Sequence, residues 1–212
     1  MKKIVVLISG NGSNLQAIID AVAAGKIQAE ICGVMSNKAD AYGLERAKNA
    51  GIPTFVFTRQ TFESNIAMDN AIAEQIALLQ ADLIVLAGYM KILTAEFTQR
   101  FAGKILNIHP SLLPKYPGLN TYQRAIDAGD TEHGMSIHFV NEEVDGGAIV
   151  LQAKVPIYSD DEISDIEERV HEQEHRCYPL VVSWFCADRL ILEDGNAYLD
   201  GKMLPSQGYA LD

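Results

Sequence analysis

The chain has 212 residues, 48% of them hydrophobic and 21% charged, an ordinary globular composition with enough apolar material for one sizeable core. Lys and Arg number 17 against 28 Asp and Glu, a net charge of −11, so a nonspecific grip on nucleic-acid phosphates or anionic lipid would work against the whole field. Neither nucleic acid nor a membrane is expected as a partner, whereas a small phosphate held by backbone N–H groups at contact distance stays open.

Lys2 and Lys3 precede an apolar run that Ser9-Gly10-Asn11-Gly12-Ser13 ends after Ile8, too early for a signal or a membrane span. Cys32, Cys177 and Cys186 lie in apolar runs with no CxxC pair, which fits a reducing compartment, and a cytoplasmic protein is the expectation. The run over 4–8 reads as a strand, the glycines as a loop, and Leu15, Ile18, Ile19 and Val22 recur at helical spacing. The alternation repeats with strand 30–35, helix 43–50, strand 54–57, helix 62–79 and strand 83–86. Continuous apolar strands separated by helices predict an α/β fold: a Rossmann-like, mostly parallel open sheet with helices on both faces.

Beyond Arg100 the spacing predicts a short strand over 104–108, a proline-rich loop from His109 to Gly118, and two strands over 135–140 and 148–155. Ser159-Asp160-Asp161-Glu162 resembles a capping box opening a long amphipathic helix with Ile163, Ile166, Val170, Cys177, Val181 and Trp184 on one side. The tail from Leu190 reads as a short hairpin. No repeat or linker interrupts the chain, so a single domain over 1–212 is expected.

Gly10-Asn11-Gly12-Ser13-Asn14 follows a strand and opens a helix, where N–H groups and the helix dipole suit an anion. The third glycine of a dinucleotide fingerprint is replaced by Leu15, and strand two ends in Ser36-Asn37 instead of a ribose-binding carboxylate, so a monophosphate fits better than NAD. The plainer alternative is a tight turn capped by Ser13 or Asn14. Asn107 and His109 flank Ile108, so strand alternation turns both polar groups to one side at a sheet's carboxyl edge. An amide there can donate to a developing oxyanion, and an imidazole can move protons near neutral pH. Asp145 precedes Gly146 and Gly147; the pattern is first a turn signal, and alternatively a carboxylate that orients an imidazole. His171-Glu172-Gln173-Glu174-His175 matches HExxH, but a third zinc ligand is wanting, so it reads as the polar face of a helix at the rim of a site, with no metal expected.

Together these motifs resemble the phosphoribosylglycinamide formyltransferase family of folate-dependent enzymes. The likeness rests on GNGSN after the first strand, Ala87-Gly88-Tyr89-Met90, Asn107-Ile108-His109-Pro110-Ser111-Leu112-Leu113-Pro114, and the stretch from Gly134 to Val140 leading to Val144-Asp145-Gly146-Gly147. The resemblance implies formyl transfer from 10-formyltetrahydrofolate, as co-substrate and without a metal, to the amine of glycinamide ribonucleotide through a tetrahedral intermediate, in purine biosynthesis. It implies a catalytic trio of Asn107, His109 and Asp145. Gly12, Ser13 and Asn14 would hold the substrate phosphate, and His171, Glu172, Gln173 and Glu174 the ribose and glycinamide. Met90, Lys91, Ile92 and Leu93 would bind folate with Asn107, Asn141, Glu142, Glu143, Val144 and Asp145. Residues to about 100 would then form a phosphate-binding half and the remainder a catalytic and folate-binding half, with no obligate protein partner. Two positions depart from the pattern: Asn65 stands where a folate-facing arginine is expected, and Lys91 where arginine is frequent. The alternatives are a formyltetrahydrofolate deformylase, a formyltransferase acting on another amine, or a noncatalytic ligand-binding module.

Overall fold

Val5, Val6, Leu7 and Ile8 are all fully buried in β1 (Lys2–Ile8), with no alternation between an inner and an outer side. That pattern belongs to a parallel strand covered on both faces. In the computed structural model, which describes residues 1–211, β1 is the centre of the first of two compact units, Met1–Asn107; the second begins at Ile108. β1 pairs in parallel with β2 (Ala29–Ser36) and β4 (Leu83–Leu86). β3 (Thr54–Val56) extends the sheet beyond β2, and β5 (Ile105–His109) extends it beyond β4, giving the parallel order β3-β2-β1-β4-β5. The crossovers carry α1 (Ser13–Ala23), α2 (Tyr42–Asn49), α3 (Asn65–Leu79) and α4 (Ala95–Arg100), with α1 and α2 packed on each other and on β2.

The helix expected over 62–79 begins only at Asn65, because the Ser64 hydroxyl accepts from the Ala67 N–H at 3.0 Å and caps it. Phe62 stays outside and stacks on Phe57 instead, at 6.3 Å between ring centroids. α4 has six residues, too few to show a helical period in the sequence.

In the second unit β6 (Glu132–Phe139) and β7 (Ile149–Pro156) are antiparallel, and α6 (Ile163–Cys186) packs on both. α5 (Thr121–Asp127) lies against α6. The expected tail hairpin is a small antiparallel sheet of β8 (Leu190–Glu193), β9 (Asn196–Leu199) and β10 (Lys202–Met203). The capping box of α6 sits three residues later than its sequence signal: the Glu162 N–H donates to Asp165 Oδ2 at 2.8 Å and the Glu162 side chain accepts in return. Asp161 is taken up elsewhere, in a two-pronged ion pair with Arg169 at 2.6 and 2.7 Å. Pro179 does not end the helix, which continues to Cys186. All three cysteines are buried thiols outside any disulfide, and burial pushes the Cys177 thiol up to about 11. Among the described residues no helix is long and apolar enough to cross a membrane. The architecture is α/β and mostly parallel, as the alternation predicts.

Candidate active site

In the first unit the glycine loop leaves β1 and enters α1 at Ser13, with Gly12 left-handed at φ 77°. A side chain at Gly12 would be strained twice over, by that φ and by the Gly43 Cα, which would lie 2.7 Å from its Cβ. No acidic residue occupies the first turn of α1, so nothing there opposes an anion at the helix start. Ser9, at the loop's entrance, accepts from the Met90 N–H at 2.8 Å and donates to Asn37 Oδ1 at 2.6 Å, tying the expected folate segment to β1.

That segment presents Met90 and Ile92 as exposed apolar side chains. Lys91 does the opposite. Its ammonium turns inward to Asp69, at 2.5 Å, and the second oxygen of Asp69 accepts from the Thr94 N–H at 2.8 Å. Asp69 is fully buried and Lys91 keeps a small exposed fraction, so the pair braces the segment from within.

β5 carries Asn107, half-buried, opposite Leu86 of β4, and two residues on it carries His109. In the second unit the imidazole of His109 is buried and spanned by two partners. Nε2 donates to the Tyr116 carbonyl at 2.8 Å, and Nδ1 lies 3.4 Å from Asp145 Oδ2. Both ring nitrogens thus face oxygen atoms, one a backbone carbonyl and the other a carboxylate. The same Asp145 oxygen accepts from the Gly118 N–H at 2.9 Å.

The loop that supplies Tyr116 and Gly118 is pinned from several sides. Ser136 Oγ donates to Ser111 O at 2.7 Å and accepts from the Leu113 N–H at 3.0 Å, while the Gln152 amide reaches Leu113 O at 2.7 Å. The Tyr116 hydroxyl donates to Asp130 at 2.6 Å, and Arg124 reaches Pro117 O at 2.7 Å.

Asp145 reaches this position through an unusual turn. It is itself left-handed at φ 54°, a conformation aspartate tolerates better than most residues, and a Cβ on Gly147 would run into the Phe139 carbonyl. Close backbone approach is therefore what the second glycine supplies. His138, one residue before the end of β6, also faces Asp145, with Nε2 3.9 Å from Oδ1. Its Nδ1 donates to the Phe139 carbonyl at 2.8 Å, and burial holds this imidazole below its ordinary pKa against the opposing pull of that carbonyl and of Asp145. His138, Tyr116 and Gly118 were not singled out as site residues from the sequence, and β6, which also holds Glu132, His133 and Ser136, gives no pattern that isolates His138.

Asn141, Glu142, Glu143 and Val144 lie exposed on the connection from β6 to β7, with Asn141 Oδ1 accepting from the Glu143 N–H at 2.9 Å. On α6, His171 and Glu172 are exposed, Gln173 is half-buried and Glu174 is buried. Burial first, and then the Glu174 carboxylate, push the hydroxyls of Tyr122 and Tyr178 well above their usual range. The HExxH histidines stack on each other, 6.2 Å between centroids, and among the described residues no group of three or more His, Cys, Asp or Glu is placed to share a metal.

Comparison with known proteins gives a consistent picture. A family model described as formyl transferase matches residues 2–182. The phosphoribosylglycinamide formyltransferase of Haemophilus influenzae is 68% identical over 210 residues, covering 99% of each chain, and that of Escherichia coli is 55% identical over 209 residues at the same coverage. The solved phosphoribosylglycinamide formyltransferase of Coxiella burnetii superposes on 100% of this chain and 99% of its own, with a TM-score of 0.96 at 47% identity.

Proposed function

The chain belongs to the formyl transferase family, and from that premise we propose that Asn107, His109 and Asp145 carry the transfer of a formyl group from 10-formyltetrahydrofolate to the amine of N1-(5-phospho-D-ribosyl)glycinamide. The observation that carries this reading is the buried His109 held between the Tyr116 carbonyl and Asp145. The full-length likeness to phosphoribosylglycinamide formyltransferases supplies the substrates and places the reaction in purine biosynthesis.

The amine nitrogen attacks the formyl carbon, a C–N bond forms, and the carbonyl electron pair moves onto oxygen. Asn107 donates its amide to that oxyanion, the point at which charge develops and a fixed dipole is most effective. The tetrahedral carbon then releases N10 of the folate. Over the reaction the amine gives up one proton and N10 takes one, and His109 is the group that carries it. Asp145 faces Nδ1 and fixes the ring's orientation. For Nε2 to meet the reacting atoms, it exchanges the Tyr116 carbonyl for substrate.

Gly12, Ser13 and Asn14 hold the substrate phosphate, and His171, Glu172, Gln173 and Glu174 the ribose and glycinamide. Met90, Ile92, Leu93, Asn141, Glu142, Glu143 and Val144 contact the folate, together with Asn107 and Asp145. Lys91, expected among the same folate contacts, also braces the segment through its ion pair with Asp69. Residues 1–212 act as one cytoplasmic formyltransferase domain on this reading.

Steady-state kinetics of Asn107→Ala and His109→Ala test the assignment. Loss of an oxyanion donor lowers turnover by about 10²–10³, so kcat falls by that order while the KM values for folate and ribonucleotide change little. Near-normal turnover in either variant would overturn the assignment.

A further inference from the structure

The carbonyls of the glycine loop are held by α2. Gly10 O accepts from the Gly43 N–H at 3.0 Å. One residue on, Asn11 O accepts from Arg46 Nε at 2.8 Å, and the same guanidinium reaches Asn11 Oδ1 through Nη2, also at 2.8 Å. Arg46 is steadied in turn by the Tyr42 ring, 4.9 Å from its centroid. In a planar trans peptide the C=O and the following N–H point in opposite directions. With the Gly10 and Asn11 carbonyls turned onto α2, the N–H groups of Asn11 and Gly12 are therefore turned away from it. Successive N–H groups aimed outward form an anion-binding concavity, and here that concavity runs straight into the N-terminus of α1.

The approach of α2 is close enough to leave no slack. A Cβ on Gly43 would collide with Ile8 Cδ1 and would lie 3.2 Å from the Gly12 Cα. Gly43 thus lets the two backbones touch, and Arg46 locks the orientation that results.

We propose that Arg46 is a positioning residue for substrate phosphate: it acts through Asn11, by clamping its backbone and side-chain oxygens so that the loop's N–H groups face the anion. The inference rests on the reading of Gly12, Ser13 and Asn14 as the phosphate site. A lysine places one ammonium where the guanidinium forks onto two oxygens, so it does not substitute.

The test is kinetics of the full chain with glycinamide ribonucleotide and with its phosphate-free riboside, for wild type, Arg46→Ala and Arg46→Lys, alongside calorimetric binding of the ribonucleotide without folate. The wild type is expected to favour the ribonucleotide strongly. Both variants are expected to raise its KM and its calorimetric Kd on the order of tenfold, the scale of a charge-assisted hydrogen-bond pair, with kcat and the folate KM within about twofold. With the riboside, kcat/KM should match the wild type. An unchanged ribonucleotide KM, full rescue by lysine, or equal losses on both substrates would overturn the role of Arg46. A wild type indifferent to the phosphate would overturn the phosphate-site reading itself.

Discussion

His138 donates from Nδ1 to the Phe139 carbonyl at 2.8 Å and is 2% exposed, so its imidazole is buried in the neutral form beside the Asp145–His109 pair. The same burial has a consequence for stability. In the unfolded chain His138 takes up a proton as pH falls through about 6.5, whereas the folded chain resists it until lower pH. Stability is therefore complete above that range and is lost as pH falls below it; His133, also held low by burial, acts in the same direction. The urea midpoint should decline between pH 7.5 and pH 5.5, with a shallower decline in His138→Gln. Equal slopes in the two proteins would contradict the assignment of a neutral buried ring. Asn107 and His109 stood out in the sequence because strand alternation predicts that both face one side of β5. The approach of Asp145 to His109 was not, since it depends on a left-handed aspartate and on a glycine touching the Phe139 carbonyl, and neither leaves a periodic trace.

At the scale of elements, the strands of the first unit were readable because fully buried parallel strands are written as unbroken apolar runs, as in Val5 to Ile8 and Leu83 to Leu86. Helix starts were less so. Phe62 extends the apolar pattern of α3 backward, yet the hydroxyl of Ser64 decides the boundary by capping the Ala67 N–H. The cap is worth about 1 kcal/mol, so Ser64→Ala should lower unfolding free energy by that amount in urea titration while leaving the folate and ribonucleotide KM values unchanged. An unaltered midpoint would mean that the cap is not what holds this end. At α6 the capping box expected from Ser159 to Glu162 forms instead between Glu162 and Asp165. Asp161, within the expected stretch, is held by Arg169, a partner eight residues downstream that a local signature does not include. α2 illustrates the reverse case: its sequence reads as an ordinary surface helix, and only the structure reveals that Gly43 and Arg46 shape the glycine loop.

For the whole molecule, a net charge of −11 coexists with a substrate that carries a phosphate, so attraction cannot come from the overall field. It has to come from contact-range donors, the role proposed for the loop between β1 and α1. The family match runs over residues 2–182, and relatives align over nearly the whole chain. The acceptor of the formyl group is the centre of this account. It is tested most directly by following loss of the formyl group from 10-formyltetrahydrofolate spectrophotometrically, with and without glycinamide ribonucleotide. The account predicts loss only when the ribonucleotide is present; loss without it would make water the acceptor and the protein a deformylase, and no loss in either case would contradict the formyl transfer itself.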